Sequence, residues 1–203
     1  RALHNGQKTY NGAALLTRAE ASDIQRDIPD FDDPQKRVIA GTLGDVRLVC
    51  AYIPNGSEVG SEKYEYKLRW LKALTAWLRA ETARYPKLAL LGDYNIAPDD
   101  RDVHDPAAWK DKILCSAPER EAFRGLLDLG LVDAFRLFEQ AEGSFSWWDY
   151  RAAGFRRNLG LRIDHILLSA PLAAACTECR VDKGPRKLER PSDHAPVIAE
   201  LRL

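Results

Sequence analysis

The chain has 203 residues, and its 30 lysines and arginines balance its 30 aspartates and glutamates, so the formal net charge is zero. This length suits a single domain with a sizeable core. No apolar run approaches the roughly 18 residues of a membrane span, so we expect no membrane partner. The charge balance argues against a general polyanion-binding protein, but not against a nucleic-acid enzyme whose basic residues cluster on one face.

Apolar, β-branched runs predict five strands, at residues 13–17, 46–53, 88–91, 163–168 and 196–203. Between Ser61 and Tyr85 the apolar residues recur every three or four positions, with Lys67 and other charged residues between them, which predicts a helix. Ser61 is its predicted N-cap, and Pro86 ends it. A second helix is predicted over residues 118–129. This order indicates a mixed α/β fold in one domain, residues 1–203, with an irregular loop at 97–112.

The four cysteines are Cys50, Cys115, Cys176 and Cys179. Cys176 and Cys179 have the spacing of half a zinc site, but no second pair follows at a ligand interval. We interpret all four as reduced thiols. Their low number favours a reducing compartment and predicts a cytoplasmic protein.

The apolar strand at 88–91 ends at Gly92, and Asp93 and Asn95 follow it. Residues two apart on an extended chain point to the same side, so these two side chains face the same space. A carboxylate there can orient or deprotonate a water, and an amide can donate to a phosphoryl oxygen without adding negative charge. The alternative is an ordinary turn, in which Gly, Asp and Asn are all common.

Asp164 stands inside an otherwise apolar strand, where an unpaired carboxylate is unfavourable. An imidazole is its natural partner, and His194, which follows Asp193 just before the last strand, can supply one. The alternative partners are Arg162 and backbone donors. Pairing with His194 would complete a set of carboxylates, amide and imidazole that suits metal-assisted phosphodiester hydrolysis.

Two further segments carry groups that suit a nucleic acid. Tyr52 and Asn55 close the strand at 46–53 and can donate to a phosphate, although Pro-Asn-Gly is also a common turn. Residues 147–150, Trp-Trp-Asp-Tyr, form an aromatic cluster near three arginines. This cluster suits either core packing or stacking on a base or an unpaired sugar.

Together these motifs resemble those of exodeoxyribonuclease III and the related apurinic/apyrimidinic endonucleases, in the endonuclease/exonuclease/phosphatase superfamily. The resemblance covers essentially the whole chain. Its specific segments are Tyr52–Gly56, Gly92–Asn95, Phe145–Tyr150, Gly160–Asp164 and Pro191–Pro196. The phosphatase and sphingomyelinase branches share the Asp-x-Asn and Ser-Asp-His elements, but they do not usually carry the tryptophan-rich segment followed by Gly-Leu-Arg-Ile-Asp.

The resemblance implies a four-layer αββα sandwich and Mg²⁺-dependent hydrolysis of DNA phosphodiesters at abasic sites and 3′ ends, with Mn²⁺ as an alternative metal. It implies a monomer that acts on duplex DNA in base excision repair. The implied catalytic residues are Tyr52, Asp93, Asn95, Asp164 and His194. The implied metal ligands are Asp93, Asn95, Asp193 and His194. The implied substrate-binding residues are Asn55 on the DNA backbone, with Trp147 and Leu161 around a base-less sugar.

The family pattern also has two earlier motifs: a strand ending in asparagine, and a strand ending in a Gln-Glu pair whose glutamate is the main metal ligand. The Gln-Glu pair has no match here, and Asn5-Gly6 has no strand pattern before it. We therefore expect a chain without the N-terminal strands, with a weakened Mg²⁺ site and little or no activity by itself. The alternatives are a phosphatase or phosphodiesterase of the same superfamily and a catalytically incomplete DNA-binding fragment.

Overall fold

The structure is a computed structural model that describes residues 1–203. The strands are β1 (Ala2–Gly6), β2 (Gly12–Leu16), β3 (Ser22–Arg26), β4 (Val38–Leu43), β5 (Val46–Ala51), β6 (Leu88–Asp93), β7 (Leu131–Asp133), β8 (Trp147–Trp148), β9 (Gly160–Leu161), β10 (Asp164–Ser169), β11 (Cys176–Val181) and β12 (Val197–Leu201). The helices are α1 (Glu62–Arg84), α2 (Pro106–Trp109), α3 (Ala117–Leu127) and α4 (Ala170–Ala175). None of them combines the length and the apolar character that a membrane crossing requires.

A six-stranded sheet in the order β3-β4-β5-β6-β10-β7 forms the centre of the fold. Strands β5 and β6 run parallel, with α1 as the connection between them, so both end at the same edge of the sheet. Strand β10 is antiparallel to β6 and begins at that edge, where Asp164 lies opposite Asp93. The topology therefore delivers two of the predicted site residues to one place.

The two faces of the sheet are covered by different elements. Val49 and Ala51 point toward α1 and α3 and join a large core with Trp70. Leu48 and Cys50, on the other face as the pleat requires, pack toward β1–β2 and, for Leu48, also toward β11–β12. A helical layer, the central sheet and a second β layer thus follow one another, which confirms the predicted mixed α/β class.

The predicted strands all form, within two residues of their predicted ends, and both predicted helices form. Ser61 caps α1 as expected, because its Oγ accepts from the Tyr64 N–H at 3.2 Å. Ser116 and Glu119 make a capping box at the start of α3. Residues 97–112 contain only short helical pieces, in agreement with the predicted irregular loop.

The expectation of no strand before Asn5 is wrong, because residues 2–6 pair with β2. Asn5 is buried, and its amide donates to Asp27 Oδ1 at 2.7 Å and to the Val38 carbonyl at 2.8 Å. Asn5 therefore links the two-stranded β1–β2 sheet to the central sheet and takes no part in the site. Strands β3, β4, β7, β8, β9 and β11 were not expected from the sequence.

Candidate active site

Asp93, Asp164 and His194 meet at the sheet edge where β6 ends and β10 begins. One ligand atom of each lies within 4.8 Å of one ligand atom of the others. The three side chains line a cleft of ≈ 430 Å³. A larger cleft of ≈ 980 Å³ elsewhere on the surface contains none of them, so volume alone does not identify the site.

Gly92 sets the place at which Asp93 leaves the sheet. Its φ is +140°, and a Cβ on this residue would lie 2.0 Å from the Ala51 carbonyl oxygen, so only glycine fits between β5 and β6. The Ile53 N–H then donates to the Asp93 carbonyl at 2.9 Å. The backbone of Asp93 is therefore fixed by its neighbouring strand.

Asn95 fixes the Asp93 side chain. The Asn95 backbone N–H donates to Asp93 Oδ1 at 2.8 Å, and its amide donates to Asp93 Oδ2 and to the Ile53 carbonyl, each at 3.0 Å. The Asn95 Oδ1 accepts from the Asn55 amide at 2.9 Å. Both amide hydrogens of Asn95 are thus bonded within the protein, so it orients Asp93 in this structure and offers no free amide hydrogen to a phosphate.

His194 pairs with Asp164, as the sequence suggested. Its Nδ1 lies 2.9 Å from Asp164 Oδ2, which also accepts from the Ser146 hydroxyl at 2.7 Å. The alternative partner, Arg162, is fully buried and bonds to Asp102 and Asp133 instead. The other imidazole nitrogen, Nε2, lies 4.0 Å from Asp93 Oδ2.

The surroundings of Asp93 and His194 raise the pKa of both side chains. Burial raises the pKa of Asp93, and the negative charge of Asp164 raises it further, to about 7. Burial lowers the pKa of His194, but the hydrogen bond and charge of Asp164 and the charge of Asp93 outweigh burial and raise it to about 9. Near neutral pH His194 is therefore protonated, while Asp93 exchanges its proton readily.

Trp147 and Asp193 form the wall next to the imidazole. The Trp147 Nε1–H donates to Asp193 Oδ2 at 3.0 Å, and the Trp147 backbone bridges that of His194. Asp193 lies outside the compact group of Asp93, Asp164 and His194. Leu161 pairs with Trp147 across β8 and β9 but is fully buried, so it supports Trp147 from below without an exposed surface of its own.

Of the aromatic residues at 147–150, one packs in the core and two are accessible to a ligand. Trp148 is fully buried and meets Phe155 edge-on, with ring centroids 5.0 Å apart. Tyr150 is 63% exposed, and Trp147 is half-buried beside His194. Core packing thus describes Trp148, whereas Trp147 and Tyr150 remain accessible.

Tyr52 and Asn55 lie on the segment after β5. The Tyr52 ring is half-buried, with the Arg37 guanidinium 4.7 Å from its centroid, and Arg37 also donates to the Tyr52 carbonyl at 3.1 Å. Asn55 is exposed, and its side chain donates to Asn95 and accepts from the Ser57 N–H at 3.0 Å. Sequence reasoning missed Arg37 and Ser146, because neither stands out until the fold brings them beside Tyr52 and Asp164.

The donor set suits a hard divalent cation. The carboxylates of Asp93 and Asp164 lie within reach of one ion, and such ions usually take one or two protein carboxylates and complete their shell with water. Burial raises the pKa of Asp93, and the neighbouring charge of Asp164 adds to the rise, so a cation placed between the two carboxylates would favour their ionised forms. Asp93 and Asp164 would supply the carboxylate oxygens.

Comparison with known proteins agrees with these motifs. The profile of the Endonuclease/Exonuclease/phosphatase family matches residues 2–194. Exodeoxyribonuclease III of Haemophilus influenzae is 39% identical over 213 residues, covering 98% of this chain and 80% of the relative. The exodeoxyribonuclease of Bacillus subtilis is 33% identical over 193 residues, covering 94% of this chain and 74% of the relative.

Solved structures share the same fold. The 3′-5′ exonuclease NExo from Neisseria meningitidis has a TM-score of 0.98 and 50% identity, covering 100% of this chain and 80% of its own. Another NExo structure, with the same TM-score and identity and 79% of its chain covered, is described as a 3′ phosphatase bound to a product DNA hairpin. An AP endonuclease from Archaeoglobus fulgidus has a TM-score of 0.94 and 33% identity, covering 100% of this chain and 79% of its own. The chain therefore belongs to the endonuclease/exonuclease/phosphatase family, within its exodeoxyribonuclease III-like branch.

Proposed function

We propose that this chain forms the catalytic centre of a metal-dependent DNA repair nuclease that hydrolyses phosphodiesters at abasic sites and at 3′ ends. The observation that carries the proposal is the arrangement of Asp93 and His194. Asn95 holds both oxygens of Asp93, and the Nε2 atom of His194 lies 4.0 Å from Asp93 Oδ2, with the imidazole oriented by its hydrogen bond to Asp164.

In this proposal Asp93 positions and deprotonates the attacking water. Burial and the charge of Asp164 raise the pKa of Asp93 to about 7, and a cation at the carboxylates would lower it again, so that Asp93 is ionised near neutral pH and can accept a proton from that water. The hydrogen bonds from Asn95 hold the carboxylate in one orientation, so the water is aimed at the phosphorus before reaction. Asn95 thus acts through Asp93.

His194 stabilises the charge that develops on the phosphoryl oxygens. Its Nδ1–H is occupied by Asp164, which leaves the Nε2–H to donate toward the cleft. The Tyr52 hydroxyl is a second donor candidate at the end of β5. A divalent cation at the carboxylates would withdraw further negative charge from the phosphoryl group, and both Mg²⁺ and Mn²⁺ are candidates for it.

A 3′ phosphatase activity is the second candidate function. The structure described as a 3′ phosphatase is 50% identical to this chain and covers all of it. Hydrolysis of a 3′-phosphate uses the same attack on phosphorus, with the 3′ hydroxyl of the sugar as the leaving group. Trp147, half-buried beside His194, supports contact with a terminal or base-less sugar in either reaction.

Four substrates separate these functions in the full-length protein. They are a duplex with one abasic analogue, a nicked duplex with a 3′-phosphate, a duplex with undamaged recessed 3′ ends, and an inositol phosphate. We expect cation-dependent cleavage of the DNA substrates, none with EDTA, and no hydrolysis of the inositol phosphate. Asp93→Asn should be inactive, whereas Asp45→Asn, at the opposite edge of the sheet, should behave as the parent.

Two results would overturn the proposal. Hydrolysis of the inositol phosphate without cleavage of DNA would identify a phosphatase for small substrates. Binding of all three duplexes without cleavage under any cation would identify a non-catalytic DNA-binding protein.

A further inference from the structure

Lys67 is a charged residue on α1 whose side chain is completely buried. Its ammonium group donates to the Asn95 carbonyl at 2.6 Å, the Asn55 carbonyl at 3.1 Å and Glu119 Oε1 at 2.5 Å. Neither Lys67 nor Glu119 has any exposed side-chain surface. All three ammonium hydrogens are therefore used inside the protein, and two of them bind the backbone of site residues.

Glu119 is equally well satisfied. Besides Lys67, it accepts from the Ser116 hydroxyl at 2.6 Å and from the backbone N–H groups of Leu114 and Ser116, both at 3.1 Å. Even so, removing each of the two charges from water costs several kcal/mol, and a protein with apolar residues of similar volume in place of a buried ion pair is often at least as stable. Stability therefore does not explain why this pair is buried here.

The two carbonyls that Lys67 holds belong to the segments that follow β5 and β6. The side chains of the same residues form a continuous series of hydrogen bonds, from the Asn55 amide to Asn95 and from the Asn95 amide to Asp93. Asn95 has a left-handed backbone with φ of +50°, a conformation that asparagine adopts more readily than most residues with a side chain.

We infer that Lys67 is a positioning residue: it fixes the backbones of Asn55 and Asn95 from beneath the site and thereby the orientation of the Asp93 carboxylate. The inference rests on the proposed function, because orientation of Asp93 matters only if that residue acts on the substrate. Without the ammonium group, the buried Asn95 carbonyl and the part-buried Asn55 carbonyl lose their partner, and we expect the segments that carry them to rearrange.

The chain offers a matched control on the same helix. Arg47 and Glu81 also form a nearly buried ion pair, at 2.6 Å with 3% and 10% side-chain exposure. Arg47 is the second residue of β5, five residues before Tyr52, which at about 3.3 Å a residue places it about 16 Å from the site edge. Loss of this pair should affect stability without affecting Asp93.

The test compares Lys67→Met/Glu119→Gln with Arg47→Met/Glu81→Gln in the full-length protein. Both double variants remove a whole ion pair, so neither leaves an unpaired buried charge. We expect similar changes in Tm. On the DNA substrate that the parent cleaves, only the Lys67 variant should lose kcat, by about 10- to 100-fold with KM changed less than about threefold. A third variant, Lys67→Arg/Glu119→Asp, keeps both charges and should recover most of the kcat.

NMR of the metal-free proteins gives a readout that does not depend on activity. The side-chain amide signals of Asn55 and Asn95 should shift in the Lys67→Met/Glu119→Gln variant and remain in place in the Arg47 control. The inference fails if kcat stays within about twofold of the parent and these amide signals do not move. If Lys67→Met/Glu119→Gln does not fold, the Lys67→Met single variant and Lys67→Arg/Glu119→Asp replace it. The inference fails if folded Lys67→Met keeps both its kcat and its amide signals, or if Lys67→Arg/Glu119→Asp loses kcat while its amide signals stay in place. A lowered kcat together with shifted amide signals supports the inference. A parent that cleaves no DNA would refute the proposed function, while the amide signals would still decide whether Lys67 positions Asn55 and Asn95.

Discussion

Replacing Asp164 by asparagine tests whether a carboxylate keeps His194 protonated. Asparagine has nearly the same shape and can still accept from the Ser146 hydroxyl, so the fold should persist. The hydrogen bond to a charged partner and the charge of Asp164 are lost, whereas burial still lowers the pKa of His194 and the charges of Asp93 and Asp193 still raise it. We expect the pKa of His194 to fall from about 9 toward its ordinary value of about 6.5.

The expected loss of activity depends on pH in a way that follows from this change. With a pKa of about 9, about 97% of His194 is protonated at pH 7.5, whereas with a pKa of about 6.5 only about 9% is. If the imidazolium is required, activity falls about tenfold at pH 7.5. The same arithmetic gives about twofold at pH 6.5 and on the order of 80-fold at pH 8.5.

The assay is kcat/KM on an abasic duplex between pH 6 and pH 9 for the parent and for Asp164→Asn, with Asp45→Asn as a control for loss of an exposed carboxylate. An NMR titration of the His194 imidazole in the metal-free proteins measures the pKa directly. A parent-to-variant ratio that stays constant across this pH range would refute the reasoning, as would an imidazole in Asp164→Asn that still titrates near pH 9.

Four further predictions follow from the same geometry. The folded-state pKa of His194 lies above its ordinary value, so the protonated imidazole contributes its full stability below about pH 6.5 and loses it as the pH rises through about 9. The difference in unfolding free energy between the parent and Asp164→Asn, measured in urea titrations, should therefore shrink between these two pH values. Asp93→Asn should lower kcat by about 10²- to 10⁴-fold while the Kd for abasic duplex stays the same or falls, since a negative charge beside phosphate is removed; near-parental turnover would take Asp93 out of the mechanism. Trp147→Ala should impair abasic-site cleavage more than cleavage at undamaged 3′ ends, with the half-buried Trp77 on α1 as the control position, and equal losses would assign Trp147 to packing. Arg162→Leu leaves the buried Asp133 without a cation, whereas Asp102 keeps Arg136, and it should lower the unfolding free energy by about 3–5 kcal/mol in urea titrations; a change under about 1 kcal/mol would contradict that account.

Local sequence patterns were sufficient for the elements that position the site. The apolar run of β6 ends two residues before Asp93, and the carboxylate inside the apolar strand β10 required a partner, which His194 provides. Ser61 and Pro86 bracket α1 with ordinary cap and stop signals. In each of these cases the determining interaction lies within a few residues or follows from the cost of burying a charge.

The features that sequence reasoning missed depend on distant partners. Lys67 occurs among charged residues of an amphipathic helix, a position that is normally solvated, and only Glu119, 52 residues away, makes its burial tolerable. Trp147 and Trp148 are adjacent, so they point to opposite sides of a strand, but the sequence does not reveal which side meets the core. Strand β1 has a weak apolar pattern and forms because it pairs with β2 and packs on the central sheet.

Because Gly92 lies so close to Ala51, substitutions at residues 92 and 93 should have different effects inside a cell. A side chain at residue 92 would force β5 and β6 apart, so Gly92→Ala should reduce the amount of folded protein that escapes chaperones and proteases. Asp93→Asn changes no volume and should leave that amount intact while turnover disappears. A survey of substitutions scored for abundance as well as for activity would therefore place residues 92 and 93 in different classes, although one peptide bond joins them.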